Sequence, residues 1–464
     1  MARAEALLTT TAPLAGSNPY LMGNFRPVVE ETVRTGPFTV EGAIPPDLNG
    51  LLLRNGPNPA VIHNSDTYHW FSGDGMLHGL ELRDGALLGY RNRFVRTRML
   101  ADEIGTMPPR GPREAINGPA NTNVISFANR ILALVESGLP HRMTPDLETV
   151  CVEDFDGTLA SPMTAHPKID PDTGAMAAFG YDPFGPPYLR YHEISPEGKI
   201  VWTTAIDLPS CVMIHDAMVS ATQIGFFDLP VGLDAELAMT GVALPFRFDP
   251  EGRSRVGLLD RGTPGERVQW LSVEPCYVFH VVNAFDDGAD LVADLYCYDR
   301  TFDTGMGRLL GSALPRLERW RMSPTVTAVH RTVLDDLPAE FPRIDDRVAG
   351  RPYAHGYATQ IARRDGLDAF PGYVKINADR GTVTRIDLPD HLQASEPIFV
   401  RASDGKTDEE GWLLAVEYDR TSDTSDLVIY DAHAFSTKPE ARIHLPVRIP
   451  FGFHGAYLDA GHFN

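Results

Sequence analysis

Short runs rich in apolar, branched and aromatic residues recur along the chain, each about four to seven residues long and closed by turn residues. Gly50-Leu51-Leu52-Leu53-Arg54 runs into an NGPNP segment. Arg130 to Val135, Lys199-Ile200-Val201-Trp202-Thr203, Gly372-Tyr373-Val374-Lys375-Ile376 and Gly411-Trp412-Leu413-Leu414-Ala415-Val416 have the same character. Runs of this kind between Gly, Pro, Asn and Asp predict β-strands. The i, i+3, i+4 spacing of an amphipathic helix is scarce, and its best example, Ala235 to Leu244, is short. A strand–turn rhythm over 464 residues without alternating helices predicts an all-β solenoid, sandwich array or propeller. No WD dipeptide or kelch-like period singles out the propeller. No linker divides the chain, which reads as one domain over 1–464 with residues 1–20 as a loose arm.

Composition narrows the classes. The 41 glycines and 38 prolines are spread throughout, as punctuation between many short strands requires. With 62 acidic against 41 basic side chains, the net charge is -21, which argues against a nucleic-acid backbone as partner. Cys151, Cys211, Cys276 and Cys297 form no CxxC pair and read as reduced, intracellular thiols. The N-terminus is too weakly apolar for a signal peptide, and no window approaches the roughly 18 apolar residues of a membrane span. The expectation is a soluble, cytoplasmic protein.

A P-loop, a dinucleotide-binding GxGxxG, a GxSxG elbow and an HExxH helix are all absent. Four of the 15 histidines have distinctive surroundings: His166 in TAHPKIDPDTG, His215 in VMIHDAMVS, His280 in EPCYVFHVVNAFD and His454 in FGFHGAYL. They are separated by 49, 65 and 174 residues, the last being three times 58. Such spacing suits ligands that rise from separate units of similar size and converge on a propeller axis. A lone histidine is more often structural, so the spacing by itself leaves both readings open.

The neighbouring segments add a resemblance. LNGLLLRNGPNP (48–59), YHWFSGDGMLHG (68–79), GPANTNV (118–124), LALVESGLPHR (132–142), AHPKIDPDTG (165–174), the IHD and FFDLPV pair (214–231), EPCYVFHVVNAFD (274–286), EFPRID (340–345), SEPIFV (395–400) and PFGFHGAYL (450–458) together resemble the carotenoid cleavage oxygenase family. The resemblance implies a seven-bladed β-propeller, capped by loops and short helices over a substrate tunnel. It implies one ferrous iron held by His166, His215, His280 and His454, with Glu136, Glu340 and Glu396 behind them. It places Thr122 near the open side of the iron and Phe71, Val135, Met213, Phe279 and Tyr298 along the tunnel. The implied activity is O2-dependent cleavage of a carbon–carbon double bond to two carbonyl products, with no acid–base residue beyond the iron centre.

For the substrate, the resemblance points to a carotenoid or apocarotenoid. Stilbene-cleaving members carry a lysine and a tyrosine that bind a phenol; here Val135 and Phe94 stand in those places. Stilbene cleavage is the alternative, and a non-catalytic binding propeller a further one. Ala217 and Ser220 replace a family Phe and Thr; loss of the Phe either enlarges the pocket or leaves room that another residue refills. NGPNP and SGDG (72–75) are expected to be tight turns, and His69 and His78 loop packing. Leu229 to Phe246 is the best candidate for peripheral membrane contact, but Asp234, Glu236 and the absence of lysine favour a core or cap helix. A monomer is expected.

Overall fold

The structure, a computed structural model, describes residues 18–112, 118–136, 138–159, 161–242, 244–263, 265, 267–303, 311–364 and 367–463. Among these, seven antiparallel sheets radiate from one axis as the blades of a propeller. Blade 1 runs outward from Gly455–Asp459 through Gly50–Pro57, Gly75–Arg83 and Ala86–Phe94 to Val33–Thr35. Blades 2 to 6 have four strands each and start at Asn123–Phe127, Lys168–Ile169, Ala217–Val219, Tyr277–Asp287 and Ala339–Arg343. Blade 7 starts at Ile398–Arg401, continues through Gly411–Asp419, Thr424–Asp431 and Ala441–His444, and takes Thr39–Gly42 as its outer edge.

The predicted strands all exist, and their positions explain their patterns. Gly50–Pro57 is buried at every residue and Gly411–Asp419 at most, because both are middle strands covered on two faces. The outer strand Thr382–Asp387 is largely exposed, and its sequence is correspondingly polar. Aromatic side chains fill the wedges between blades: Phe179 meets Phe226 edge-on between blades 3 and 4, and Phe227 meets Trp320 between blades 4 and 5. The ring is closed by the two ends of the chain. Gly455–Asp459 pairs with Gly50–Pro57 from Gly50↔Asp459 to Arg54↔Gly455, and Thr39–Gly42 pairs with Ala441–His444.

Several local expectations are corrected. NGPNP is not a free turn: Asn55, Gly56 and Pro57 continue the strand and pair with Leu77, Met76 and Gly75. Gly56 is required there, since a Cβ would meet the Gly452 Cα at 2.5 Å. The predicted helix is confined to Ala235–Met239, capped by the Asp234 carboxylate on the Leu237 N–H and ended before Gly241 at φ +77°. A second helix, Arg98–Ile104, begins under the Thr97 hydroxyl and was not predicted. His78 lies in the strand Gly75–Arg83, bonded to Tyr90, whereas His69 does sit in a loop and accepts the Phe71 N–H. Residues 1–17 of the expected loose arm lie outside the described residues, and Asn18 and Tyr20 at its end are buried. Among the described residues no helix is long and apolar enough to cross a membrane.

Candidate metal centre

The inner strands deliver the four singled-out histidines to one point. His166 and His215 stand just before the first strands of blades 3 and 4, His280 within that of blade 5, and His454 just before that of blade 1. Proline follows His166, Glu396 and Phe341, and its missing N–H releases the backbone from the ladder there. In blade 5 the register shifts on both sides of Val281, next to His280. In blade 6 it shifts between Glu340 and Arg343, with Phe341 at φ +56°. Bulges of this kind re-aim side chains, here toward the axis.

The four ring nitrogens that face one another lie within 4.8 Å. Nε2 of His215 is 3.0 Å from that of His166 and 3.3 Å from that of His280, which is 3.2 Å from that of His454. Behind them, Nδ1 of His215, His280 and His454 meets Glu136, Glu340 and Glu396 respectively, the last two at 2.5 and 2.8 Å. An Nδ1–H given to a carboxylate leaves the Nε2 lone pair pointing inward. His166 has no carboxylate partner among the described residues; its backbone N–H is fixed by the Thr164 hydroxyl at 2.9 Å.

Each carboxylate is anchored again. Tyr181 donates its phenol to Glu136, Tyr298 donates to Glu340 at 2.8 Å, and the Gly455 N–H donates to Glu396 at 2.8 Å. Burial pushes both phenols far above the usual tyrosine range, so they stay protonated and donate. Burial would also raise Glu396, but His454 and Arg343 outweigh it and hold the carboxyl below the ordinary range. Burial, and for His166 the three neighbouring imidazoles, pulls His166 well below 6.5; burial takes His454 to about 4 despite Glu396. These rings are therefore neutral at neutral pH. Neutral nitrogens with lone pairs facing one another repel unless a cation lies among them, so the donor set fits a metal ion of the imidazole-preferring kind.

Above the histidines is a cavity of about 290 Å³. Phe71, Val135, Met213 and Phe279 line it as the family resemblance implied, together with Thr122. Tyr298 does not: it is fully buried behind Phe279, and its phenol serves Glu340. Tyr181, which sequence reasoning missed, takes a place in the lining. Ala217 and Ser220 are not part of the wall, so the substitutions there do not enlarge it; the Ser220 hydroxyl bonds Asp286 at 2.5 Å. Phe94 is also outside the wall, packed with Ala60, Met76 and Leu100. Leu244 and Phe246 close the cavity, which makes the end of the Leu229 to Phe246 segment a cap. Asn55 is the other missed residue. Its N–H holds the His454 carbonyl at 2.8 Å, and its side-chain amide ties Ala120 and Asn123 of the neighbouring blade.

Residues 25–459 match the family model described as RPE65, retinal pigment epithelial membrane protein. The chain is 34% identical to the carotenoid cleavage oxygenase of Mycobacterium tuberculosis, over 97% of this chain and 99% of that protein. It is 29% identical to the apocarotenoid-15,15'-oxygenase of Synechocystis sp., over 90% of this chain and 92% of that one. Its fold superposes on the crystal structure of Pseudomonas brassicacearum lignostilbene dioxygenase with a TM-score of 0.85 at 27% identity, over 95% of this chain and 98% of that one. A seven-bladed ring with four histidines on its axis, and a family match running nearly end to end, lead to one conclusion: the chain belongs to the RPE65 family of carotenoid cleavage oxygenases and is an oxidoreductase of the dioxygenase class.

Proposed function

We propose that His166, His215, His280 and His454 hold one ferrous ion, and that the protein uses O2 to cleave a carbon–carbon double bond of a carotenoid or apocarotenoid into two carbonyl products. The convergence of four imidazoles beneath an apolar cavity carries this reading. The iron, when bound, supplies the activation of O2 for addition across the alkene. The protein's residues do the rest. Glu136, Glu340 and Glu396 fix the tautomers and raise the basicity of three imidazoles. Phe71, Val135, Met213, Phe279 and Phe453 exclude water and hold the alkene over the histidines. Thr122, whose carbonyl accepts the His454 N–H and whose hydroxyl donates to Asn121, narrows the open side.

The polar groups of the wall favour an apolar substrate. Ser72 donates to the His69 carbonyl, Asn121 to Phe71 and Gly73, Thr122 to Asn121, and Tyr181 to Glu136. These side chains have no spare hydrogen for a phenolate, and Val135 offers no ammonium. Cleavage of a hydroxystilbene is the second reading, favoured by the fold match to lignostilbene dioxygenase. The chain is further read as one domain, 1–464, acting as a cytoplasmic monomer, with any membrane contact confined to the cap around Met239. The test is aerobic incubation of iron-loaded protein with carotenoid, apocarotenal and hydroxystilbene panels. O2 uptake stoichiometric with apocarotenoid aldehydes, identified by mass, is the expected result. Cleavage of hydroxystilbenes alone transfers the assignment to the second reading, and isomerised or hydrolysed products without O2 uptake refute dioxygenation.

A further inference from the structure

The four imidazoles separate two spaces of opposite character. Above is the apolar cavity; below, a cavity of about 540 Å³ runs along the propeller axis toward exposed Arg347 and Asp459. His280 and His454 border both spaces, His215 only the upper, and His166 only the lower. The lower wall carries Lys168, Asp216, Arg343, Asp346 and Glu396. Most of these charges are neutralised by neighbours. Lys168 Nζ is 2.9 Å from Asp216, Glu396 is bonded to His454 and 3.8 Å from Arg343, and Arg347 is paired with Asp345.

Asp346 differs. Its carboxylate forms no side-chain hydrogen bond or ion pair among the described residues, and it is exposed to the water of the cavity while the blades surround it. That enclosure pushes its carboxyl above the ordinary range, although Arg343 and Lys168 oppose the shift. A passing cation relieves it. A hydrated dication entering from above must instead shed water along a mostly apolar wall that includes Trp70, Phe71, Met213 and Phe279, where the two carboxylates, Glu136 and Glu340, are already engaged by His215 and Tyr181 and by His280 and Tyr298.

We propose that the lower axial cavity is the route by which a divalent cation reaches the four histidines, with Asp346 as its landing point. The inference rests on the four-histidine metal reading above. The net charge of -21 concentrates cations around the molecule and favours entry at a carboxylate-bearing mouth. One carboxylate is too small a ligand set to retain the ion, whereas four imidazoles hold a first-row metal well. Metal and substrate then enter from opposite ends of the axis, and neither blocks the other.

The test uses the full chain, stripped with a chelator and mixed anaerobically with Co2+, whose ligand-field absorption reports occupancy without turnover. Asp346→Asn should slow association about tenfold and Asp346→Lys about 100-fold, with the final affinity unchanged. Wild type with trans-stilbene filling the upper cavity should load at its ordinary rate. Loading of both variants at the wild-type rate, or blockage of wild-type loading by stilbene, overturns the route. Failure of the wild type to bind Co2+ at all is a different result and overturns the four-histidine reading itself.

Discussion

At the scale of single residues, the site is a set of linked pairs. Glu396 is 1% exposed, and its two oxygens serve the His454 ring and the Gly455 N–H. Removing that carboxylate frees the His454 ring to turn and lowers its basicity. Glu396→Ala should therefore weaken iron retention by about 10–100-fold. Iron content after dialysis against a mild chelator checks this, and wild-type retention would refute it. Part of this arrangement was readable in advance. The 174-residue gap from His280 to His454 already looked like three units, whereas Glu340 and Glu396 came only from the family resemblance; the structure places them 60 residues after His280 and 58 before His454. Blades 6 and 7 thus carry glutamates where blades 1, 3, 4 and 5 carry histidines. Tyr181 and Tyr298 were not readable as carboxylate donors, because nothing near them in sequence names a partner 45 or 42 residues away.

At the scale of elements, the inner strands are built to fail as regular strands where chemistry is needed. The bulges beside His280 and Glu340 cost ladder hydrogen bonds and turn those side chains inward. Gly455 sits at a similar crossing: a Cβ there would lie 2.3 Å from the Leu53 carbonyl oxygen. Gly455→Ala should push the closing strand away from Gly50–Pro57, destabilise the protein by about 1–3 kcal/mol and loosen metal through the adjacent His454. The control is Gly461→Ala, where a Cβ meets nothing within 4 Å. Equal melting temperatures for the two variants would contradict the argument. The pattern-based reading located the middle strands well because burial on both faces leaves an unbroken apolar run. It misjudged NGPNP, since turn-forming residues look alike whether they turn a chain or let two backbones approach.

At the scale of the whole molecule, a metal held by the four histidines as proposed would tie four blades together through one point. Ligand that binds only the folded state stabilises it by mass action, about 4 kcal/mol at 1,000 times the dissociation constant. Thermal melts should accordingly rise with added Fe2+ or Co2+ and fall with chelator. A melting temperature indifferent to both would remove the metal from the stability argument. A separate dependence comes from buried histidines away from the axis. Burial lowers His69, His141 and His192 to about 4 and His78 to about 3. The unfolded chain takes up these protons near pH 6.5 and the folded chain does not. Stability present above that pH is therefore lost as the pH falls toward 4. Urea midpoints of metal-free protein should drop between about pH 7 and about pH 5. Identical midpoints would count against it.

The sequence by itself determined the all-β character and the middle strands, and it singled out four histidines without deciding between a structural and a metal role. Those depend on patterns within a few residues, or on a spacing that repeats with the blade. Tertiary structure alone decided which carboxylate backs which imidazole, and that Tyr298 supports Glu340 instead of lining the cavity. It also decided that Ala217 lies off the wall and that Gly455–Asp459 closes the ring against Gly50–Pro57. These relations join residues tens to hundreds of positions apart, and a contact across that distance exists only once the blades have closed around the axis.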